Sequence, residues 1–422
     1  MVEIEFHIGQ RISYLRKINQ ISQKELSDKL FISQSQISNY EKNRSELNEE
    51  LIILLSNIFK VPKDYFVLKN NDELLKTQLE ETFNKLLMNK SSEITIFDDE
   101  YAIFSMKIEQ EVIYRLLRAS FYLKKNNYDK IIEDVKYFVP TFEKKITKYR
   151  TNSLLLKSYY FYHYQLNFWK NNLNECLKSC YKLEKIFTNR NEIARINITM
   201  AQCHYLNNNV NDGLRQINKA ISLSNEINDE HLLSIAYTIL SAIYIRFKLF
   251  NDALKILNKL EALNSKLGND NTQAIIFSQR GYIYEKKRDY KEAINNYKSS
   301  LPLAKDQNNQ NKTFIALIIS SLKLKDFTLA TFYIEELKKR KTKELDKMTL
   351  MSLECELQLE LGNEKYLRDN LKLFLTYFED NNCQFDLYYI YTYLAKYYSR
   401  IKQYKKVNEY FIKREKLNYE VT

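Results

Sequence analysis

A motif that returns every 40 residues limits this chain to an array of helical hairpins growing lengthwise. The most legible copy, GYIYEKKRDYKEAINNYKSSL, runs from Gly281 to Leu301, with Gly281, Tyr284, Tyr290, Ala293, Tyr297 and Ser300 at its characteristic positions. With Ala293 as marker, Ala253 lies 40 residues earlier and Gly213 a further 40. Ala330 and Val407 mark later copies, weaker ones fall near Cys176 and Ile131, and one more hairpin has to fit between Ala330 and Val407. About eight hairpins result. The small residues have a steric job: Gly281 and Ala293 let two helices approach closely, while tyrosines fill the gaps between hairpins.

The composition agrees with such an array. In 422 residues there are only 5 Gly and 3 Pro, which argues against strands and tight turns, while the hydrophobic fraction of 45% suits a core that lengthens with the chain. Loops such as KLGNDN and KDQNNQN are expected between hairpins. The aromatic stretches 159–169 and 388–398 are expected to pack between hairpins.

The first 68 residues follow a different rule. Ile8, Ile12 and Leu15 fall at helical spacing with Arg11 and Arg16 between them. Ser22, three residues before Glu25, forms a capping box for a short helix ending at Leu30. Residues 31–33 are a tight connection, and Ser33 caps a second short helix, QSQISNYEK. Two helices of about eight residues joined this closely are a helix-turn-helix. Leu26, Leu30 and Ile37 take its apolar contacts, leaving Gln34, Ser35, Ser38 and Asn39 on the opposite face. Gln and Asn pair bidentately with adenine in the major groove, and Ser bonds to any base edge. A further helix, Asn48 to Phe59 with Leu51, Leu54, Leu55 and Ile58 inward, and a turn after Pro62 complete a small core.

The segment ISQKELSDKLFISQSQISNYEKNRSELNEELIILLSNIFKVPKDYF resembles the DNA-binding domain of the phage lambda and 434 repressor type, over roughly residues 8–68. That resemblance implies that Gln23 contacts phosphate and that Gln34, Ser35 and Asn39 read bases. It also implies that Arg16 pairs with Glu41 and that Lys42, Asn43 and Arg44 lie along the DNA backbone. Phe31 stands where the family usually has the turn glycine. If that position needs a positive φ, a slightly rebuilt turn is expected.

Residues 69–92 carry Leu74, Leu75, Leu79, Phe83, Leu86 and Leu87 every three or four positions, which predicts a linker helix carrying the first domain at a variable angle. The repeats match tetratricopeptide spacing. The expected fold is therefore all-α: a lambda-repressor-like helix-turn-helix (1–68), a linker helix (69–92), and a right-handed superhelix of tetratricopeptide-like hairpins (93–422) with a concave groove. In such hairpins the first helix lines the groove, which selects Gln165, Arg195, Gln202, Thr238, Ser278 and Tyr282. Amide side chains there clamp an extended peptide backbone, and an arginine such as Arg195 holds a carboxylate.

A small DNA-reading domain followed by this array resembles the peptide-pheromone regulators of low-GC Gram-positive bacteria, the group of Rap, Rgg, NprR, PlcR and PrgX. The resemblance implies a homodimeric, cytoplasmic quorum-sensing receptor for a short signalling peptide that switches binding to double-stranded DNA. Two other readings stay open: an interaction protein that binds a response regulator, as Rap members do, and a mobile-element repressor that needs no peptide.

Charge and chemistry set further limits. The net charge is +12, yet residues 1–69 hold 10 Lys and Arg against 9 Asp and Glu, or +1, so DNA contact has to come from placed residues and from pairing of two weak modules. Cys176, Cys180, Cys203, Cys355 and Cys383 form no zinc spacing and no disulfide framework, and are expected as buried or semi-buried free thiols in a reducing compartment. His7, His163, His204 and His231 join no ligand or catalytic constellation, and no P-loop or dinucleotide loop is present. No cofactor, metal or enzymatic activity is expected. The N-terminal residues carry no signal-peptide pattern, and no apolar run reaches membrane-spanning length, so no membrane partner is expected.

Overall fold

The computed structural model describes residues 6–67, 72–97, 102–148 and 153–417. The chain divides into two compact units, Met1–Ile227 and Asn228–Thr422. The expected boundary at 68/69, the first residues of the expected linker and the last five residues of the chain lie outside the described residues.

The first unit begins with α1 (Ile8–Ile18), α2 (Gln23–Leu30), α3 (Gln34–Glu41) and α4 (Glu49–Phe59), followed by a 3-10 turn at Lys63–Phe66. Ile12, Leu15, Leu26, Leu30, Ile37, Leu51, Leu55 and Phe59 form its core. Leu54, expected inward, is 38% exposed. Gly9 sits where α1 meets α3: a Cβ there would lie 2.0 Å from the Tyr40 carbonyl oxygen, so only glycine permits this approach.

α5 (Glu73–Leu87) follows, and then three hairpins: α6 (Ile108–Lys124) with α7 (Val139–Ile146), α8 (Leu154–Trp169) with α9 (Leu173–Ile186), and α10 (Arg190–Leu206) with α11 (Val210–Glu226). The return limb of the first hairpin is broken into a 3-10 turn at Tyr128–Ile131 and a π-helical stretch at Asp134–Phe138 before α7, whose second residue is Pro140. Proline has no N–H to bond the preceding turn, which accounts for a break at this place.

The second unit stacks five hairpins: α12 (Glu230–Arg246) with α13 (Phe250–Leu267), α14 (Asp270–Lys286) with α15 (Tyr290–Ser300), α16 (Gln307–Leu324) with α17 (Phe327–Lys338), α18 (Glu344–Glu360) with α19 (Glu364–Asp380), and α20 (Gln384–Arg400) with α21 (Tyr404–Glu415). Eight hairpins are thus present among the described residues, as the repeat implied. The marker is the fourth residue of the return helix in α9, α11, α13, α15, α17 and α21, and Leu367 holds the same place in α19, the hairpin that had to fit before Val407. Gly281 makes the expected close approach, since a Cβ would lie 2.7 Å from the Tyr297 ring. Most of KDQNNQN, expected as a loop, is the first turn of α16, capped by Asp306.

The scarcity of glycine misleads on turns. Every hairpin closes through one left-handed residue, namely Asn126, Asn171, Asn208, Lys248, Arg288, Lys325, Gly362 and Lys402, with φ between 54° and 82°. The next residue's N–H bonds back across the turn, as in Asn209 to His204, Leu249 to Tyr244 and Asp289 to Tyr284, each 2.9 Å. This closure needs a left-handed backbone rather than glycine itself. Asparagine tolerates that conformation, and the packing of two long helices outweighs a cost of about 1 kcal/mol for lysine or arginine.

Candidate DNA-reading face and ligand groove

Helices α2 and α3 are each started by a reciprocal cap. The Ser22 hydroxyl accepts from the Glu25 N–H at 3.1 Å while the Glu25 carboxylate accepts from the Ser22 N–H at 2.7 Å. Ser33 and Gln36 repeat this at the start of α3, at 3.2 and 2.9 Å. Between them, Phe31 has φ 55° and ψ 39° and is 92% exposed. The turn is therefore not rebuilt: the phenylalanine adopts the left-handed conformation that glycine would take, because both caps depend on the chain reversing there.

Glu41 joins the three helices. Arg16 donates to it through Nε at 2.6 Å and Nη2 at 3.2 Å, and Gln23 through Nε2 at 2.8 Å. The Arg16 to Glu41 pair matches the expectation. Gln23, expected at a phosphate, has its amide engaged by Glu41. On the remaining surface of α3, Gln34 and Ser35 are exposed and Ser38 and Asn39 half-buried, while Lys42, Asn43 and Arg44 are exposed just beyond it. Asn43 is left-handed, and Arg44 N–H closes the helix on the Asn39 carbonyl at 2.8 Å. The side chains of Gln34, Ser35, Ser38 and Asn39 take no part in the caps or the apolar core.

In the first unit, the groove candidates Gln165, Arg195 and Gln202 lie half-buried on α8 and α10. Gln165 donates to the Tyr164 hydroxyl at 2.7 Å, and Arg195 to Asn191 Oδ1 at 2.7 Å. In the second unit, Thr238 lies on α12 and returns its hydroxyl to the Ser234 carbonyl at 2.9 Å, while Ser278 and Tyr282 lie one helical turn apart on α14. Sequence reasoning missed the Ser241 to Gln279 bond at 2.6 Å, which ties α12 to α14, and the grip of Arg280 on Glu261 at 2.7 Å. Neither pair has a local signal in the sequence.

Helix α5 is no loose strut. It runs beside α6, with the Asp72 carbonyl accepting from Gln110 at 2.7 Å near one end and the Leu86 carbonyl from Lys124 at the other. Phe83 is 2% exposed, with its ring 5.3 Å from Phe161 and 6.3 Å from Phe187. Burial, reinforced by the charge of Arg195, lowers the Lys124 pKa to about 8. Leu74, counted in the apolar stripe, is 70% exposed. Arg11, which the sequence places between the apolar positions of α1, is 1% exposed and bonded to Glu111 in α6.

The aromatic stretches pack in part as expected: Phe161, Tyr162, Tyr391 and Tyr393 are buried, while Phe168 and Trp169 are exposed. Cys176, Cys180, Cys203 and Cys355 are buried free thiols and Cys383 is half-buried. Among the described residues no cluster of His, Cys, Asp or Glu is arranged to hold a metal, and no helix is long and apolar enough to cross a membrane.

A helix-turn-helix domain family matches residues 9–72. Over 106 residues the chain is 30% identical to the HTH-type transcriptional regulator ImmR of Bacillus subtilis strain 168, covering 22% of this chain and 82% of ImmR. The chain belongs to the helix-turn-helix transcriptional regulators. This regulator shares its fold with the apo quorum sensor NprR of B. thuringiensis (TM-score 0.67, 18% identity, 82% of this chain and 99% of that one). Apo RapI is similar at TM-score 0.62 and 14% identity, over 82% of this chain and 97% of that one. So is NprR in complex with its cognate peptide NprX, at TM-score 0.53 and 18% identity, over 71% of this chain and 90% of that one.

Proposed function

We propose that the protein is a cytoplasmic, non-enzymatic, peptide-gated transcription regulator. Residues 1–68 read DNA, 69–92 connect, and 93–422 receive a short signalling peptide and hold two copies together. The observation that carries the reading is the face Gln34, Ser35, Ser38 and Asn39, whose side chains the caps and core leave available beside exposed Lys42, Asn43 and Arg44. The hairpin array has the fold of NprR, which binds its cognate peptide NprX, and in each unit half-buried polar residues, Gln165, Arg195 and Gln202 in the first and Thr238, Ser278 and Tyr282 in the second, suit an extended peptide backbone. As a homodimer, the competent state sets two reading helices about 34 Å apart on a two-fold operator. The peptide shifts that state only through unequal affinity for two arrangements.

The test is a mobility shift of the protein on DNA from its own upstream region, with and without synthetic peptides encoded by small reading frames beside its gene. A salt-sensitive shift changed by one peptide supports the reading. A shift indifferent to every peptide favours a simple repressor, and absence of a specific shift favours a protein-binding role. Asn39→Ala is expected to cost about 1–3 kcal/mol of specific DNA affinity with the fold intact, and a variant that keeps the wild-type preference for operator over random DNA removes Asn39 from the reading set.

A further inference from the structure

The helix-turn-helix is joined to the first hairpin by buried charge. Arg11 projects from α1 with its side chain 1% exposed, and Glu111 on α6 is fully buried. Each guanidinium nitrogen has a partner: Nε donates to Glu111 Oε2, Nη1 to the Tyr65 carbonyl and Nη2 to the Met106 carbonyl, each at 2.8 Å. The other Glu111 oxygen accepts from the Tyr65 hydroxyl at 2.6 Å and from Arg115 at 3.0 Å. One carboxylate on α6 therefore holds both ends of the reading domain, α1 and the Lys63–Phe66 turn.

The cluster continues. Arg115 donates to Asp134 at 2.9 Å and to the Tyr14 hydroxyl of α1 at 3.2 Å, and Arg118 donates to Asp134 at 2.6 Å. Burial alone would lower the Arg115 pKa, but Glu111 and Asp134 beside it more than reverse this, so the guanidinium stays charged. Around these charges, Tyr14 packs edge-on against Phe138 at 5.0 Å and Phe6 against Phe142 at 5.7 Å. A swivel of the reading domain about this joint would separate the buried Arg11–Glu111 ion pair and break the hydrogen bonds of Tyr65 to Glu111 and of Arg115 to Tyr14. The domain moves with the first hairpin or it undocks; intermediate angles are costly.

We propose that Glu111 is a positioning residue for DNA reading: by clamping α1 and Tyr65 to the first hairpin, it makes the distance between the two heads of a dimer a property of the hairpin arrays. The proposal rests on the dimeric reader described above. A clamped pair of heads engages two half-sites only at the matching separation, whereas loosened heads accept several.

The experiment uses the full chain on its selected operator, on operators lengthened or shortened between the half-sites by one to five base pairs, and on a single half-site. Wild type is expected to lose about a hundredfold in affinity at mismatched spacings. Glu111→Gln, which replaces the carboxylate with a neutral amide, is expected to flatten that dependence while single half-site affinity stays within about twofold, since no reading residue is touched. Tyr65→Phe removes one hydrogen bond and no charge; it is expected to shift the dependence in the same direction by less, and it carries the test if Glu111→Gln does not fold. Wild-type spacing selectivity in the folded variants, or a parallel loss on the single half-site, overturns the proposal. A wild-type protein indifferent to spacing overturns the dimeric reader itself.

Discussion

Two carboxylate-centred clusters organise the N-terminal unit, and they are built to different standards. Glu41 gathers Arg16 and Gln23 inside the helix-turn-helix, with the arginine and carboxylate side chains 14% and 9% exposed. Glu111 gathers Arg11, Arg115 and Tyr65 across the joint, with the Arg11 and Glu111 side chains 1% and 0% exposed. The first lies at the edge of water, so a lost partner is partly replaced by solvent. In the second, removing one member strands the rest in a dry interior, where unpaired charge is expensive. The reading domain thus tolerates local adjustment within itself and very little at its attachment.

Removing the buried carboxylate is the most severe way to break this contrast. Glu111→Ala is expected to destabilise the N-terminal unit by about 3–5 kcal/mol, because Arg11 loses its buried charged partner. Chemical denaturation followed by circular dichroism measures it, and a loss below about 1 kcal/mol would equate the two clusters. Next, Gly9→Ala probes the packing that brings Glu41 to Arg16. Its methyl has to displace the Tyr40 carbonyl, at an expected cost of about 2–3 kcal/mol in the same assay. Arg16→Ala sharpens the comparison from the solvent side: about 1–2 kcal/mol is expected, since Gln23 and water still reach Glu41. The smallest change has the opposite sign. Phe31→Gly relieves a left-handed phenylalanine and is expected to stabilise by about 0.5–1 kcal/mol, raising the thermal midpoint.

Much of the fold was legible because its signals are local. The cap pair of Ser22 with Glu25, the cap at Ser33 and the marker series from Gly213 to Ala293 follow from spacing, and the Arg16 to Glu41 pair follows from the resemblance to the lambda and 434 repressor type. Other features were hidden for physical reasons. Left-handed turn residues were masked by the scarcity of glycine, since Asn126 or Lys248 does the same work once the flanking helices are packed. The burial of α5 was only half visible: its apolar stripe could be read, but not that Phe83 meets Phe161 and Phe187. Of the groove, only candidate positions could be read, because the partners of Gln165 or Arg195 depend on how neighbouring helices turn their faces.

The sequence by itself determined the all-helical class, the number of hairpins, the helix-turn-helix and the polar face of its second helix, because each is written in periodicities and caps that act within a few turns of helix. Only the tertiary structure decided that Arg11 is buried, that Glu111 is its partner 100 residues away, and that the reading domain is clamped. An arginine on an amphipathic helix looks the same in sequence whether it meets water or a carboxylate, and the choice is made by which surface packs over it.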